Sequence, residues 1–118
     1  MQKITDIQPQ KRNKSRVNVY VDGEYVLALE LLTVMKLGLK IGTEVTETQL
    51  AEALWAAFEN FKVWMQVTIL NYFRFSSGAH CERVLALLND PAQDDEVRFA
   101  CLRYLGRYPY PPAYADLL

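Results

Sequence analysis

Asp22-Gly23 stands between two runs of strand character, Val17-Asn18-Val19-Tyr20-Val21 before it and Tyr25 to Leu29 after it. A two-residue hairpin turn needs positive φ at its centre, which only Gly, Asn and Asp adopt at little cost, so this dipeptide fixes the pairing of its neighbours. Period-two alternation marks the flanking runs as half-buried strands. Ile4 and Ile7 bracket a further short strand. The amino end is therefore expected to be a small antiparallel three-stranded sheet.

After the strands the hydrophobic period changes. Leu31, Val34, Met35 and Leu37 fall at helical spacing, and Gly38 is placed to end that helix in a left-handed conformation. Thr46-Glu47-Thr48-Gln49 reads as a capping box, with Val45 and Leu50 where a hydrophobic staple packs, so a second helix begins at Glu47. Leu50, Leu54, Phe58, Phe61 and Met65 continue the pattern, with a break expected near Glu59-Asn60 because Asn is a poor interior residue. Ser76-Ser77-Gly78 is a turn, Ala79 to Leu88 resumes a helix, and Asn89-Asp90-Pro91 ends it. Asp94-Asp95-Glu96 then complement the dipole of a last helix whose apolar stripe is Val97, Cys101, Leu102 and Leu105. Tyr-Pro-Tyr-Pro-Pro at 108–112 enforces an extended segment before a last short turn. The fold class is α+β: a hairpin segment with a short helix over 1–45, then a mostly helical body over 46–118.

A chain of 118 residues suits a single modest core. Its formal charge of −1 hides an asymmetry, since residues 1–16 hold Lys3, Lys11, Arg12, Lys14 and Arg16 against Asp6 alone, while the remainder is net acidic. Cys81 and Cys101 fall in apolar helical patterns without ligand or redox spacing, which reads as buried, reduced thiols. Met1 leads into a polar strand and not an apolar leader, so a cytoplasmic location is expected. Val63 to Phe73 is the most apolar stretch, and it is shorter than the roughly 20 residues a membrane span needs.

Two polar surfaces are candidates for binding. Lys11, Arg12, Lys14 and Arg16, with Asn13 and Ser15 beside them, could take phosphates and offer at most weak nucleic-acid binding. The plainer reading is a solvated hairpin tip, which the net-acidic chain favours. Arg98, Arg103 and Arg107 with Tyr104 and Tyr108 form a second surface suited to protein contact, against the plainer alternative of a solubilising helix face and a tyrosine-rich plug. Catalysis finds no support: His80 and Cys81, adjacent on a helix, point in different directions, and no third group orients them. His80, Cys81 and Cys101 lack spacing for a zinc shell, and no Gly-rich phosphate loop or other cofactor motif occurs.

Residues 3–50 resemble the amino-terminal segment of the RecX family of recombinase regulators. The resemblance is carried in order by Ile4-Thr5-Asp6-Ile7, the turn Gln10-Lys11-Arg12-Asn13-Lys14, Arg16 before Val17-Asn18-Val19-Tyr20, Asp22-Gly23-Glu24, and Gly38-Leu39 to Gly42. It implies a non-enzymatic modulator that binds recombinase filaments of the bacterial RecA type through a helical body. The family's basic Tyr-Arg-x-Arg patterns do not continue cleanly past Leu50. Asp90-Pro91 with Asp95 to Gly106 is instead similar to a HEAT-type helical repeat, which implies a protein-binding scaffold such as an antagonist of a toxin or nuclease. Such repeats bury their faces on neighbours, and about one and a half are present. Two unlike resemblances meeting near Leu50 point to a recombined or artificially composed chain. On either resemblance the expectation is a small regulator or inhibitor whose partner is a protein.

Overall fold

The computed structural model describes residues 2–112. Four strands, β1 (Gln2–Pro9), β2 (Arg16–Val21), β3 (Glu24–Glu30) and β4 (Glu44–Val45), form one antiparallel sheet in the order β3-β2-β1-β4. The helices are α1 (Leu31–Lys36), α2 (Glu47–Ala56), α3 (Val63–Ser76), α4 (Cys81–Asn89) and α5 (Asp95–Arg107). An α+β chain with its sheet at the amino end is what the sequence pattern anticipates. The addition is β4, two residues paired with Gln2 and Lys3 of β1.

By packing the chain divides into two compact units, one ending at Ile69 and one beginning at Leu70. In the first, the β2–β3 turn has φ of 50° at Asp22 and 85° at Gly23, the positive pair that the dipeptide demands. The turn is pinned to β1: Lys3 N–H donates to the Asp22 carboxylate (3.0 Å), Asp22 N–H to the Lys3 carbonyl (2.9 Å), and Gly23 N–H to Thr5 Oγ1 (2.9 Å). Thr5 sits where the β1–β2 register slips, so a bulge aims its hydroxyl at the turn. Val17, Val19 and Val21 are buried on β2, while Leu27, Ala28 and Leu29 are buried in succession on β3. Alternation fails in β3 because α3 covers its second side, with the Thr68 hydroxyl donating to the Ala28 carbonyl (2.7 Å).

Gly38, at φ 69°, closes α1 as expected. Leu39 N–H donates to the Val34 carbonyl and Gly38 N–H to that of Met35, both at 3.1 Å, the reciprocal pair of a Schellman cap. Of the apolar residues at helical spacing in α1, Val34 is buried but Leu31 and Met35 are 42% and 66% exposed. The helix is too short to turn more than one side inward. The capping box forms, with Gln49 N–H on Thr46 Oγ1 (3.0 Å) and Thr46 N–H on Gln49 Oε1 (2.9 Å). The expected break comes at Ala57, followed by a 3-10 turn over Phe58–Asn60 whose Phe58 carbonyl accepts from the buried Gln66 amide (2.9 Å).

The second unit holds the end of α3 with α4 and α5. Asp94 caps α5 by accepting from Glu96 N–H (2.8 Å). Val97, Ala100, Cys101, Tyr104 and Leu105 are buried, whereas Leu102, expected in the inward stripe, is 51% exposed. A period of 3.6 puts residue 104 among 97, 100 and 101, and puts 102 on the opposite side. The last short turn expected after Pro112 lies outside the described residues.

Candidate functional site

The basic turn is a constructed loop. Gln10 N–H donates to the Arg16 carbonyl (2.9 Å) and Arg16 N–H to the Asn13 carbonyl (3.1 Å), closing the β1–β2 connection. Asn13 Oδ1 accepts from both the N–H (3.1 Å) and the hydroxyl (2.6 Å) of Ser15. The two residues that would have helped to hold a phosphate thus engage each other. Lys11, Arg12 and Lys14 are exposed and make no ion pair among the described residues. Arg16 does not join them: its guanidinium lies 4.3 Å from the centre of the Trp64 ring. A cation over a partly buried indole is held by about 0.5–2 kcal/mol, so Arg16 fastens β2 to the start of α3. Beside it, Lys62 and Glu30 pair at 2.9 Å.

On α5 the sequence-derived set separates. Arg98 is half-buried, and its Nη2 donates to the Asp90 carbonyl (2.6 Å), which ties the α4–α5 connection to the helix. Tyr104, expected as an exposed contact anchor, is fully buried. Its hydroxyl accepts from His80 N–H (2.9 Å) and donates to the Ser77 carbonyl (2.8 Å), so it organises the start of α4. Burial pushes the Tyr104 phenol up to about 12, although the His80 hydrogen bond acts the other way. Arg103 and Arg107 are exposed one turn apart and share a face with Phe99 and Leu102.

Arg74 and Phe75, at the end of α3, complete this surface and were not among the sequence-derived candidates. The Arg74 guanidinium lies 5.3 Å and that of Arg107 5.9 Å from the centre of the Phe75 ring. Arg107 Nε donates to the Tyr108 hydroxyl (3.2 Å), which donates to the Arg74 carbonyl (2.7 Å). Arg103 Nη2 reaches Asn71 Oδ1 at 3.5 Å. One signal was present in the chain: no Asp or Glu occurs between Glu59 and Glu82, or from Val97 to Tyr114.

Cys101 is buried, which pushes its thiol up to about 12. Cys81, expected to be buried, is only half-buried, with its sulfur 3.4 Å from the Gly78 carbonyl and 3.7 Å from that of Tyr108. The buried His80 ring packs on Phe73, with centres 4.3 Å apart. Among the described residues no group of His, Cys, Asp and Glu side chains gathers as a metal site would require, and no helix is long and apolar enough to cross a membrane.

Comparison with known proteins bears on the amino-terminal part. Residues 2–46 match the family model described as the regulatory protein RecX N-terminal domain. A regulatory protein RecX from Clostridium beijerinckii is 43% identical over 61 residues, 52% of this chain and 28% of that protein. The regulatory protein RecX of Clostridium tetani is 50% identical over 48 residues, 41% of this chain and 22% of that protein. These matches thus span about a quarter of the length of the curated relatives. A crystal structure of regulatory protein RecX aligns over 99% of this chain and 56% of its own, with a TM-score of 0.46 and 23% identity. The family-model match and the two sequence relatives support the resemblance carried by the hairpin segment.

Proposed function

We propose that this protein is a RecX-like regulator that binds a RecA-type recombinase and acts by stoichiometric occupancy, not by turnover. The observation that carries the reading is the match over residues 2–46, together with 43% identity over 61 residues to a curated relative. The physical arrangement fits a binding role. Three cations on the β1–β2 loop stand free of carboxylates among the described residues, and arginines flank exposed aromatic and aliphatic side chains on the second unit. Charge on the rim with aromatic and Arg anchors is the usual make-up of a protein contact. His80 and Cys81, the nearest approach to a nucleophile and base, are engaged respectively in the packing of Phe73 and Tyr104 and against backbone carbonyls.

The test is co-sedimentation with recombinase filaments assembled on single-stranded DNA. The protein should pellet with filaments up to a saturating ratio and stay in solution with bare DNA at physiological salt. Failure to pellet with filaments would remove the recombinase as partner. A second reading, a helical scaffold for some other protein partner, is favoured by the α4–α5 pair closed by Arg98. It expects no association with filaments.

A further inference from the structure

Beyond the amino-terminal resemblance, the second unit carries a surface that its own stability does not explain. Phe75 is 69%, Phe99 60% and Leu102 51% exposed. Leaving such side chains half to two-thirds in water forgoes roughly 1–2 kcal/mol each, and exposed apolar side chains flanked by charge are the make-up of an interaction surface. The rim is all of one sign: Arg74, Arg103 and Arg107 make no ion pair among the described residues. Interaction with the helix dipoles accounts for cations at Arg74 and Arg107, in the last turns of α3 and α5, but not for Arg103 or for the exposed rings. The acids of α5, Asp95 and Glu96, lie in its first turn, about 10 Å or more along the axis from Arg103 and thus beyond a Debye length.

We infer that the Arg74, Phe75, Phe99, Leu102, Arg103 and Arg107 surface is a docking site for an acidic peptide segment of a partner protein, one that interleaves carboxylates with apolar side chains. This rests on the reading that the protein acts by binding another protein, but not on that partner being a recombinase. Two observations favour a peptide over single-stranded nucleic acid. First, two guanidinium groups lie 5.3 and 5.9 Å from the centre of the Phe75 ring, so a base stacking there would compete with cations already drawn to it. Second, the cations are all arginine and few, interleaved with aliphatic and aromatic surface, where a phosphate track would be lined with charge and give the unit a basic balance. Residues 70–118 hold Arg74, Arg83, Arg98, Arg103 and Arg107 against Glu82, Asp90, Asp94, Asp95, Glu96 and Asp116, an acidic balance. The chemistry of recognition is a bidentate Arg–carboxylate pair at Arg103 and at Arg107, with apolar side chains of the peptide lying against Phe99 and Leu102 towards one end of the surface and against Phe75, beside Arg107, at the other.

The test uses the full chain and fluorescence anisotropy with three labelled probes: a short peptide interleaving Glu with Leu and Phe, the same peptide with Gln for Glu, and oligo(dT). The Glu peptide should bind and the Gln peptide should not. Arg103→Glu with Arg107→Glu should weaken binding about tenfold or more, as loss of paired interface charges does. Phe75→Ala should weaken it by a smaller factor. All these positions are exposed, and circular dichroism of each variant should overlay the parent. Equal binding of the Gln peptide, or unchanged affinity in the double variant, overturns the proposal. Binding of oligo(dT) that the double variant loses, with no binding of the Glu peptide, overturns it in favour of nucleic acid. If the Glu peptide binds as described while recombinase filaments do not associate with the protein, the docking site stands and the recombinase reading fails.

Discussion

Tyr104→Phe removes one oxygen atom and leaves the ring, so its effect isolates the two hydrogen bonds that the hydroxyl makes. His80 N–H, a buried donor, loses its acceptor at 2.9 Å, and the Ser77 carbonyl loses a donor at 2.8 Å. An unsatisfied buried backbone group costs about 1–3 kcal/mol, and the half-buried carbonyl, which water can reach, forfeits about 0.5–1.5 kcal/mol, so a net loss of about 1.5–4.5 kcal/mol is expected. Urea denaturation followed by far-ultraviolet circular dichroism measures it directly. Tyr104→Ala would add a cavity and cost about 3–5 kcal/mol, so that variant cannot serve as a surface probe. The hydroxyl also has a pH signature. Its ordinary value of 10 is raised to about 12 in the fold, so the folded state holds the proton longer than the unfolded chain. The stability this contributes is fully present below pH 10 and is lost as pH rises towards 12, and Tyr104→Phe should lack that part of the decline. A change of less than about 0.5 kcal/mol in urea, the size of an ordinary surface substitution, would refute the assigned role.

Gly23→Val should destabilise the first unit by about 1 kcal/mol or more, because φ of 85° resists a β-branched residue, while open space around the position removes any steric contribution. An unchanged denaturation midpoint would count against the turn. Cys81 should react with a thiol reagent in the native protein, whereas Cys101 should react only on unfolding; rapid native labelling of both would contradict the burial of Cys101. Lys11→Ala, Arg12→Ala and Lys14→Ala together should flatten the salt dependence of any DNA binding by a slope of about 3, while Arg16→Ala should act chiefly on stability through Trp64. Loss of DNA affinity in Arg16→Ala with an unchanged midpoint would reverse those two assignments.

What could be read along the chain was whatever local chemistry determines. The Asp22-Gly23 turn, the Gly38 cap and the Thr46–Gln49 box each involve residues within a few positions of one another, and each formed as expected. β4 escaped notice because two residues carry no periodicity; its existence depends on Gln2 and Lys3, more than forty positions away. Tyr104 departs from the expected exposed face for a different reason. Its phenol suggested a polar face, but its position in the 3.6-residue period, beside Ala100 and Cys101, already assigned it to the interior. Arg16 looked like one of four equivalent cations until Trp64 arrived over it. The Arg74–Phe75 half of the exposed cationic surface lies on a different helix from Arg103 and Arg107, and only packing joins them. The domain division expected at 45 remains a proposal to be tested by limited proteolysis.

The central claim, that this chain regulates a recombinase by occupying it, is tested most directly by titrating the full chain into a RecA-type recombinase assembled on single-stranded DNA and following its DNA-dependent ATP hydrolysis. Inhibition should grow with the molar ratio of the two proteins and saturate, and the recombinase recovered afterwards should have an unchanged mass. Undiminished hydrolysis at a large molar excess would contradict the recombinase as target, and complete inhibition at trace amounts with a covalent change in the recombinase would contradict stoichiometric binding itself.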